Sequence, residues 1–511
     1  MMSEVALSQL LEGITAGLPI RQDIIVRGIT SDSRQVKPGY VFAAVKGAAH
    51  DGHDYLSQAA EKGAVAALVE NADSRAPIPQ IVTADVNAAL AQAAMNFYGR
   101  PAGGMRVVGI TGTNGKTSTS YLLESLLISG GKTGVIGTVE MRCPGFSRPA
   151  LLTTPDPVTL ASALREMADK GVSALVMEVS SHALQQKRVN GLDFDVAVFT
   201  NLSRDHLDYH KSMSQYSAAK ALLFNTLLPQ SASRGKDPLA VINNDDPEGL
   251  KLLRDCREAG IRCISYGCAG QVRPYEVEYG MAGIQARLET PLGKIMLISR
   301  LLGTFNLYNL MAAAAVGVGM GFSLQHITDA LFSCEIIPGR LEKVKYDRPG
   351  PLVLVDYAHT DDALHQSLSA LRTLNIKGRL ICVFGAGGNR DRGKRPMMGE
   401  AVARWADVAL ITSDNPRDED PLDIINMILP GLDSNGFKCE PFWTGSPMSY
   451  ICEPDRAKAI AVAILEADDN DVILIAGKGH ETYQSVKGRR HFFDDREEAS
   501  KALALRERRI S

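Results

Sequence analysis

A glycine-rich turn between an apolar run and a helical pattern constrains this chain more than any other feature. Residues 106–110 are predicted to form a strand, and a helix is predicted to begin near Ser118. Glycines let consecutive backbone N–H groups converge on phosphate oxygens, a lysine can reach the terminal phosphates, and a threonine hydroxyl can bind Mg²⁺. The turn therefore predicts a nucleoside triphosphate site, and we call it the phosphate loop. Its residues are Gly112, Thr113, Asn114, Gly115, Lys116 and Thr117.

The match to the usual phosphate-loop pattern is incomplete, because its first glycine position is occupied by Ile110. An ordinary glycine turn between a strand and a helix is the alternative interpretation. The strand before the loop and the helix after it are the context that a phosphate loop requires. We therefore favour nucleotide binding.

Length and composition place the chain among ordinary soluble globular proteins. Its 511 residues are enough for about three domains. The composition is 45% hydrophobic and 22% charged, and a net charge of −3 gives no electrostatic footprint for nucleic acid or an anionic membrane. The apolar run 311–322 is shorter than the roughly 18 residues that span a bilayer, so it predicts a buried helix. We expect small-molecule partners, no nucleic acid, no membrane insertion and a monomer.

The cysteines and the first residues indicate the compartment. The eight cysteines form no Cys-x-x-Cys pair and no repeated metal spacing, so they are predicted to be reduced thiols. Residues 1–5 lack a basic region followed by an apolar core, so no signal peptide is expected. The sequence therefore predicts a cytoplasmic protein.

Changes in the strand pattern divide the chain into three parts. Short strand candidates, at 24–29 and 41–45, come before a Pro-Ala-Gly-Gly stretch at 101–104. Strands then alternate with helical patterns, which is typical of a parallel sheet covered by helices. A second series of such strands follows the Ile-Pro-Gly-Arg stretch at 337–340. The predicted strands of the two series are 106–110, 174–177 and 196–200, then 352–355, 380–384, 408–412 and 472–476.

We therefore expect an α/β protein of three domains. A smaller N-terminal α/β domain is assigned to residues 1–103. The central domain, residues 104–337, is predicted to carry the phosphate loop on a doubly wound parallel sheet. Residues 338–511 are predicted to form a second doubly wound unit.

Polar and charged residues follow the predicted strands of both sheets. Because ligands bind at the carboxyl ends of strands in open α/β sheets, this pattern predicts an active cleft shared by two domains. The alternative is that these residues only form turns, which glycine, asparagine and aspartate favour locally. Their recurrence after every strand argues for the cleft. The segments are 178–182, 201–208, 356–359, 385–390, 413–417 and 477–481.

Two of these segments supply candidate metal ligands. Glu178 and Thr117 offer the hard oxygen ligands that Mg²⁺ prefers. His206 stands where a second metal could bind, although a capping or packing histidine is the alternative. A zinc site formed by His206 and His210 is disfavoured, because no glutamate is placed as in His-Glu-x-x-His and no cysteine is nearby.

Several motifs together resemble those of the Mur ligases, the ATP-dependent ligases that build the stem peptide of peptidoglycan. The resemblance extends over nearly the whole chain, in the expected order. It implies an N-terminal domain for the UDP substrate, a central ATP domain and a C-terminal Rossmann-like domain for the incoming amino acid. The motifs are the phosphate loop and residues 178–182, 201–206, 303–309, 356–359 and 414–417.

The resemblance also implies roles for individual residues. Leu152 occupies a position where relatives can carry asparagine, so that contact is not carried over. The ATP-binding residues would be the phosphate loop with Ser118, Asn306, Asn309, Arg340 and Asp356. For the UDP substrate, the residues at the uridine diphosphate end would be Ser31, Ser33, Ala48, Ala49 and His50. Those that hold its muramoyl dipeptide would be Thr153, Thr154, Ser180, Gln186 and Arg188.

Lys220 matches a lysine that the family carbamylates. Sequence reasoning alone predicts a solvated helix lysine, and an ammonium group cannot ligate Mg²⁺. Carbamylation would convert it into a long carboxylate and a ligand for a second Mg²⁺. The implied catalytic residues are Lys116, Glu178, His206 and Lys220, with Thr117 as a further metal ligand.

The sequence Asp414-Asn415-Pro416-Arg417 is similar to that of the family members that add meso-diaminopimelate. The resemblance implies ligation of this amino acid to the D-glutamate γ-carboxylate of UDP-N-acetylmuramoyl-L-alanyl-D-glutamate through an acyl phosphate. An arginine can bind the distal carboxylate bidentately, and Arg417 is the candidate. The alternative is a surface turn with a solvated arginine and no role in binding. The other expected contacts are Arg390, Gly477 and Glu481.

Other functions remain open on the sequence alone. A phosphate-loop kinase or motor ATPase would explain the first motif but not the second series of strands. A folylpolyglutamate synthetase-like ligase would not require the N-terminal domain or residues 414–417. An L-lysine-adding relative and a non-enzymatic nucleotide-binding scaffold are further alternatives.

Overall fold

The computed structural model describes residues 4–14, 23–47 and 50–510. The chain packs as two compact units. The first comprises Met1–Gly112, Leu126–Leu202 and His210–Ser265, and the second comprises Thr113–Ser125, Ser203–Tyr209 and Tyr266–Ser511.

The N-terminal part of the first unit is built on a parallel sheet with the strand order β3-β4-β5-β6. Successive residues of β4 face opposite sides: Val41 packs in one apolar cluster and Phe42 in another. The sheet is therefore covered on both faces. Its elements are β1 (Val5–Ala6), α1 (Leu7–Leu10), β2 (Ile25–Val26), β3 (Gly28–Thr30), β4 (Tyr40–Ala43), α2 (Leu56–Glu61), β5 (Ala66–Val69), β6 (Gln80–Val82) and α3 (Val86–Phe97).

The following residues form a larger sheet with the order β10-β9-β8-β11-β7-β12-β13-β14. Strands β8, β11, β7, β12 and β13 are parallel, and β9 and β10 form an antiparallel extension. The elements are β7 (Arg106–Thr111), α4 (Lys116–Leu127), β8 (Lys132–Ile136), β9 (Glu140–Cys143), β10 (Phe146–Pro149), α5 (Pro157–Asp169), β11 (Val172–Glu178), α6 (Ser181–Gln185), β12 (Val196–Phe199), α7 (Leu207–His210), α8 (Met213–Leu222), α9 (Leu228–Ser233), β13 (Leu239–Asn243), α10 (Pro247–Glu258) and β14 (Arg262–Tyr266).

An antiparallel sheet and two helices come next, within the second unit. The sheet order is β15-β16-β17. The predicted buried helix is confirmed, because α11 contains the run from Met311 to Val316, which is fully buried. The elements are β15 (Arg273–Gly280), β16 (Gly283–Thr290), β17 (Gly293–Ser299), α11 (Thr304–Gly319) and α12 (Leu324–Ser333).

The rest of the second unit is built on a sheet with the order β18-β19-β24-β20-β21-β23-β22, parallel except for β18. Leu354 and Val355 pack in clusters on opposite faces, as a sheet between two helical layers requires. Its elements are β18 (Glu342–Lys343), β19 (Leu352–Asp356), α13 (Asp361–Arg372), β20 (Leu380–Phe384), α14 (Lys394–Trp405), β21 (Val408–Ile411), α15 (Pro421–Asp433), β22 (Lys438–Cys439), β23 (Ser449–Cys452), α16 (Arg456–Leu465), β24 (Val472–Ala476), β25 (Tyr483–Val486), β26 (Arg489–Phe492) and α17 (Asp495–Ile510).

The seven strands predicted after residue 105 are all present, with ends that differ by at most two residues. Helix α4 begins at Lys116, two residues before the predicted start. The β15–β17 sheet was missed, although β17 alternates buried Leu297 with exposed Met296 and Ile298. In the described part of the chain, we find no helix with the length and apolar content needed to cross a bilayer.

Candidate active site

The phosphate loop leaves β7 at a position that only glycine fits. Gly112 has φ 144°, and a Cβ built on it would lie 1.9 Å from Thr200 Oγ1. The loop then enters α4, where the Thr119 N–H donates to the Gly115 carbonyl at 2.9 Å. Lys116 Nζ donates to the Thr113 carbonyl at 2.8 Å, so the lysine lies over its own loop. This is the strand–turn–helix geometry that nucleotide binding requires.

The phosphate loop contacts a second loop and helix α13 within the second unit. Thr113 Oγ1 lies 3.2 Å from the Ser203 carbonyl and accepts from the Ser203 N–H at 3.0 Å. Asp362 Oδ2 accepts from Asn114 Nδ2 at 3.1 Å and from Ser203 Oγ at 2.8 Å. Ser203 lies in the predicted 201–208 segment, but Asp362 was not predicted, because the sequence does not show that residues so far apart meet.

The two asparagines expected near adenine lie on α11 in one hydrogen-bond chain. Asn306 Nδ2 donates to the Leu302 carbonyl at 2.8 Å, and Asn309 Nδ2 donates to Asn306 Oδ1 at 2.9 Å. Thr119 Oγ1 donates to Asn309 Oδ1 at 3.3 Å. The last hydrogen bond of this series comes from helix α4, so the two asparagines lie close to the helix that follows the phosphate loop. Their role in binding adenine stays a prediction.

Arg340 contacts the last residue of the phosphate loop. Its Nη2 donates to Thr117 Oγ1 at 3.3 Å, and its guanidinium lies 4.9 Å from the centre of the Tyr357 ring. Asp356 Oδ2 accepts from the Leu341 N–H at 2.7 Å, while Oδ1 accepts from the Ala358 N–H at 2.8 Å. Burial raises the pKa of Asp356. Arg340 therefore lies beside the phosphate loop. Asp356 fixes the backbone at Leu341, next to Arg340, and at Ala358.

Glu178, at the end of β11 in the first unit, is buried and held at both oxygens. Its Oε1 accepts from the Thr138 N–H and its Oε2 from Thr138 Oγ1, each at 2.9 Å. A buried carboxylate whose position is fixed in this way is a suitable cation ligand.

The residues predicted to hold the dipeptide converge beside Glu178. Thr154 Oγ1 donates to the Glu178 carbonyl at 2.8 Å and accepts from the Ser180 N–H at 3.0 Å. Thr153 Oγ1 lies 3.2 Å from Thr138 Oγ1. Leu152 is half exposed beside them. These contacts bring the 152–154 segment to the carboxyl end of β11.

Arg188 extends this cluster. Its Nη1 donates to the Thr154 carbonyl at 2.8 Å, and its Nε and Nη2 donate to Gln186 Oε1 at 3.0 and 2.6 Å. Residues from two short stretches of sequence, 153–154 and 180–188, thus lie in one hydrogen-bonded cluster. We call Thr153, Thr154, Ser180, Gln186 and Arg188 the dipeptide cluster.

Lys220 contradicts the expectation of a solvated helix lysine, because it is only 2% exposed. Its Nζ donates to the Gly112 carbonyl at 2.7 Å and lies 4.4 Å from the centre of the Tyr216 ring. A π-helical segment, Leu223–Leu227, follows α8, and such segments are frequent at functional sites. The lysine therefore lies directly against the start of the phosphate loop.

The two histidines considered for zinc lie in different surroundings. His206 is about half exposed, has φ 52° and lies 3.4 Å from Asp205 Oδ2 through Nε2. His210 is buried, and its Nε2 lies 2.9 Å from Ser181 Oγ. Among the described residues, no three histidine, cysteine, aspartate or glutamate side chains converge as a metal site.

The residues predicted for the uridine diphosphate end lie in the N-terminal part. Ser33 is buried, and its carbonyl accepts from Lys62 Nζ at 2.9 Å. Ser31 and His50 are exposed on the surface of the same region. Ala48 and Ala49 lie outside the described residues. The roles of all five residues in binding the UDP substrate stay predictions.

The 414–417 segment is tied to the β25–β26 hairpin. Arg417 has φ 53°, its N–H donates to the Ser485 carbonyl at 2.9 Å, and its carbonyl accepts from the Lys487 N–H at 2.6 Å. Arg417 Nη1 donates to the Gly388 carbonyl at 2.5 Å. The interpretation as a simple surface turn is wrong, because Asp414 and Asn415 are buried and Arg417 is half-buried.

A buried lysine joins the acidic residues of this region. Lys478 Nζ lies 3.7 Å from Asp414 Oδ1 and 3.6 Å from Glu481 Oε2. Asn415 Nδ2 donates to Glu481 Oε2 at 2.9 Å. Burial raises the pKa of Glu481. We call Asp414, Asn415, Lys478 and Glu481 the acidic cluster; Gly477 adjoins it at φ 120°.

The segment that carries Arg390 is fixed by an ion pair below it. Arg390 itself is exposed. Buried Arg395 donates to both carboxylate oxygens of Glu419, at 3.0 and 2.8 Å, and Glu419 Oε1 accepts from the Asn389 N–H at 2.5 Å. The Arg395 hydrogen bonds hold the pKa of Glu419 at about 2. The pair thereby links the loop after β20 to the loop after β21.

Two histidines that were not assigned roles lie near Tyr357. The His359 and His480 rings lie 4.6 and 4.9 Å from the Tyr357 ring, centre to centre. Burial lowers the pKa of His359, and burial lowers the pKa of His480 to about 3. Lys394 Nζ donates to the His359 carbonyl at 3.0 Å, and burial lowers the pKa of Lys394. Both histidines are therefore neutral at physiological pH.

Comparison with known proteins agrees with this arrangement. Residues 25–98 match the catalytic domain of the Mur ligase family, residues 110–317 the Mur ligase middle domain, and residues 339–479 the glutamate ligase domain of Mur ligases. The chain belongs to the Mur ligase family. The expected three-domain α/β fold is thereby confirmed, while the boundaries at residues 103 and 337 stay predictions.

Relatives within the family are similar over almost their whole length. The chain is 46% identical over 487 residues to the UDP-N-acetylmuramoyl-L-alanyl-D-glutamate–2,6-diaminopimelate ligase of Geobacter metallireducens, covering 94% of each chain. It is 44% identical over 497 residues to the enzyme of the same name from Geobacter sulfurreducens, covering 95% of this chain and 96% of that one. A solved structure of a ligase of that name is 32% identical, with a TM-score of 0.70 over 99% of this chain and 100% of the other.

Proposed function

We propose that this Mur ligase adds meso-diaminopimelate to the D-glutamate γ-carboxylate of UDP-N-acetylmuramoyl-L-alanyl-D-glutamate, at the expense of ATP, in cytoplasmic peptidoglycan precursor synthesis. The names of the relatives support the substrates. The observation that carries the proposal is the 414–417 segment, which supplies Asp414 and Asn415 to the acidic cluster and carries Arg417 two residues further on. The eight thiols support a reducing compartment.

In the first step, a γ-carboxylate oxygen attacks the γ-phosphorus of ATP, and the bond from that phosphorus to ADP breaks. An acyl phosphate forms. Negative charge moves across the phosphoryl group, so a cation held at the loop stabilises the transition state. Lys116, on the phosphate loop, would supply this cation, and the Arg340 guanidinium, which donates to Thr117 Oγ1, would add a second positive charge.

Mg²⁺ is the proposed cation, because hydroxyl and carboxylate oxygens are the ligands that it prefers. Thr117 would hold one ion through its hydroxyl and Glu178 would contribute its buried carboxylate. When bound, Mg²⁺ neutralises charge on the phosphate oxygens. Two ions are proposed, with His206 and Lys220 as ligands of the second.

Lys220 can serve as a ligand only after modification. Its amine would add CO₂ and release a proton, which forms a carbamate with two oxygen donors. Its burial against Gly112 supports this proposal, because a lysine held away from water and next to the loop is placed for a structural or catalytic task rather than for solvation.

In the second step, an amine nitrogen of meso-diaminopimelate attacks the acyl carbon. A C–N bond forms, the bond from carbon to the phosphate oxygen breaks, and the nitrogen loses a proton. Arg417 would bind the distal carboxylate, and Arg390 is a second cation for a carboxylate. Asp414 and Glu481 would accept from ammonium groups, and Asp414 Oδ1 makes no hydrogen bond among the described residues.

The dipeptide cluster and the residues Ser31, Ser33 and His50 would hold the UDP substrate. The convergence of the cluster on Glu178 supports this part of the proposal, because the reacting carboxylate has to meet the cation site. Asn306 and Asn309 would define the adenine end of the ATP site.

The test is phosphate release by the purified protein with ATP and Mg²⁺. Release should require both UDP-N-acetylmuramoyl-L-alanyl-D-glutamate and meso-diaminopimelate, and Lys116→Ala should abolish it. Release that depends instead on a folate and glutamate would support the folylpolyglutamate synthetase-like alternative. No release with any pair of substrates would support the scaffold. Lys251→Ala, at an exposed lysine, is the matched control.

A further inference from the structure

Lys478 is fully buried at the carboxyl end of β24, between two glycines. Gly479 has φ 53°, and a Cβ built on it would lie 2.7 Å from Tyr357 Cβ and 2.9 Å from the Gly339 carbonyl oxygen. Position 479 therefore has no room for a side chain, and the turn that follows Lys478 is fixed by this glycine. No role follows for this lysine from the phosphate loop or from the substrate contacts described above.

The surroundings of Lys478 Nζ are polar on three sides. It donates to Asn415 Oδ1 at 3.3 Å and lies within 3.7 Å of one oxygen of Asp414 and one of Glu481. A buried ammonium is costly unless it is paired, and here it is paired with two carboxylates at once. Asn415 Oδ1 also accepts from the Ser485 N–H at 2.8 Å, so the same network reaches the hairpin that holds Arg417.

We propose that Lys478 is a positioning residue of the amino-acid site, whose buried ammonium holds the Asp414 and Glu481 carboxylates together so that they can accept hydrogen bonds from an ammonium group of the diamino acid. This inference rests on the proposed function, because it assigns a role within the site for the incoming amino acid. Lys478 would act through Asp414 and Glu481 and would not need to contact the substrate.

The physical reason is repulsion between the two carboxylates. Two acidic groups in one buried site cannot both stay ionised without a compensating cation, and one takes up a proton instead. A protonated Glu481 would carry an O–H donor and no negative charge, so it would bind an ammonium group more weakly than the carboxylate does. Burial raises the pKa of Glu481, the charge of Asp414 raises it further, and Lys478 lowers it.

Other groups near Glu481 do not replace this cation. Tyr357 and Tyr483 are neutral phenols, and burial raises the pKa of each. His480 is neutral, since burial lowers its pKa to about 3. Arg456 interacts with Glu481 electrostatically, but both of its terminal guanidinium nitrogens are committed to Asp495 and to backbone carbonyls. Lys478 is the ammonium within 4 Å of Glu481 that the structure describes.

The experiment measures kcat/KM for meso-diaminopimelate between about pH 5 and 9 in wild type, Lys478→Met and Lys478→Gln. Loss of the cation should move the acidic limb upward by about one pH unit or more and raise KM about tenfold at neutral pH. The KM values for ATP and for the UDP substrate should stay unchanged. Lys438→Met, at an exposed lysine of the same domain, should leave the profile unchanged.

Superimposable profiles with an unchanged KM would overturn the proposal, and so would a lower Tm with an unchanged profile, which indicates a structural role alone. If neither Lys478 variant folds, Glu481→Gln provides the second test: its acidic limb should disappear, and a persisting limb would overturn the proposal. Wild-type protein that does not use meso-diaminopimelate would instead contradict the proposed function, so the two failures can be told apart.

Discussion

Arg456 and Asp495 form a bidentate ion pair in which neither side chain is exposed. Arg456 Nε and Nη2 donate to Asp495 Oδ1 and Oδ2, each at 2.7 Å. Arg456 Nη2 also donates to the Ala476 carbonyl at 2.9 Å, and Nη1 donates to the Ser413 carbonyl at 3.4 Å. These carbonyls lie next to Asp414 and Gly477. One guanidinium therefore connects the two loops that carry the acidic cluster, and helix α17 supplies its counter-charge.

Asp495→Asn should destabilise the protein strongly, because it leaves the Arg456 guanidinium buried without a full counter-charge. We expect the free energy of unfolding to fall by about 3–5 kcal/mol in urea titrations. Asp169→Asn, which breaks the exposed pair between Arg165 and Asp169, should cost less than about 1 kcal/mol. Equal losses for the two variants would contradict the role given to the buried pair.

Lys220→Ala should be nearly inactive, because a small side chain cannot supply the proposed carbamate oxygens. Short carboxylic acids should restore part of the ligation rate by occupying the vacated space, and rates with and without added acetate or formate check this. Lys211→Ala, on the segment just before α8, is the control and should need no rescue. Intact-mass measurement of active wild-type protein, with no carbamylated form under any CO₂ concentration, would remove the carbamate.

Glu419 should make stability depend on pH in the acidic range. Its pKa is about 2 in the folded protein and ordinarily 4.5, so its stabilisation is complete above about pH 4.5 and is lost as pH falls toward 2. Glu419→Gln should lower the free energy of unfolding by about 2–3 kcal/mol at neutral pH. The difference from wild type should shrink between about pH 4.5 and 3. A difference that stays constant with pH would show that the Arg395 pair is not the cause.

Much of the fold follows from local sequence. Strands of parallel sheets are buried on both faces, so they appear as continuous apolar runs such as 380–384 and 472–476, and both are present at those residues. The phosphate loop was equally clear, because its glycines and lysine occur between a strand and a helix. The antiparallel sheet at 273–299 was not predicted, because its strands mix exposed and buried residues and lack the continuous apolar run of a parallel strand.

The parts of the site that depend on tertiary packing could not be predicted. Lys220 reads as a solvated helix lysine because the sequence does not show which face of α8 packs against the phosphate loop. The left-handed φ of Arg417 depends on its pairing with the distant hairpin. Lys478 lies in the predicted 477–481 segment, but its burial between Asp414 and Glu481 requires two loops to meet.

Arg417→Ala should raise the KM for meso-diaminopimelate, because alanine lacks the guanidinium that would bind the distal carboxylate bidentately. The binding free energy of meso-diaminopimelate should weaken by about 2–4 kcal/mol, as for a desolvated pair between an arginine and a carboxylate. Steady-state kinetics should show almost unchanged KM values for ATP and the UDP substrate. Arg489→Ala, at an exposed arginine of the β25–β26 hairpin, is the control. A loss in the ATP parameters instead would place Arg417 outside the amino-acid site.

The central claim is that this Mur ligase selects meso-diaminopimelate. The most direct measurement supplies wild-type protein with ATP, Mg²⁺, UDP-N-acetylmuramoyl-L-alanyl-D-glutamate and equal concentrations of meso-diaminopimelate and L-lysine, and weighs the products by mass spectrometry. We expect a product that carries meso-diaminopimelate and little or none that carries L-lysine, because only meso-diaminopimelate has the distal carboxylate for Arg417. Equal amounts of the two products would contradict it.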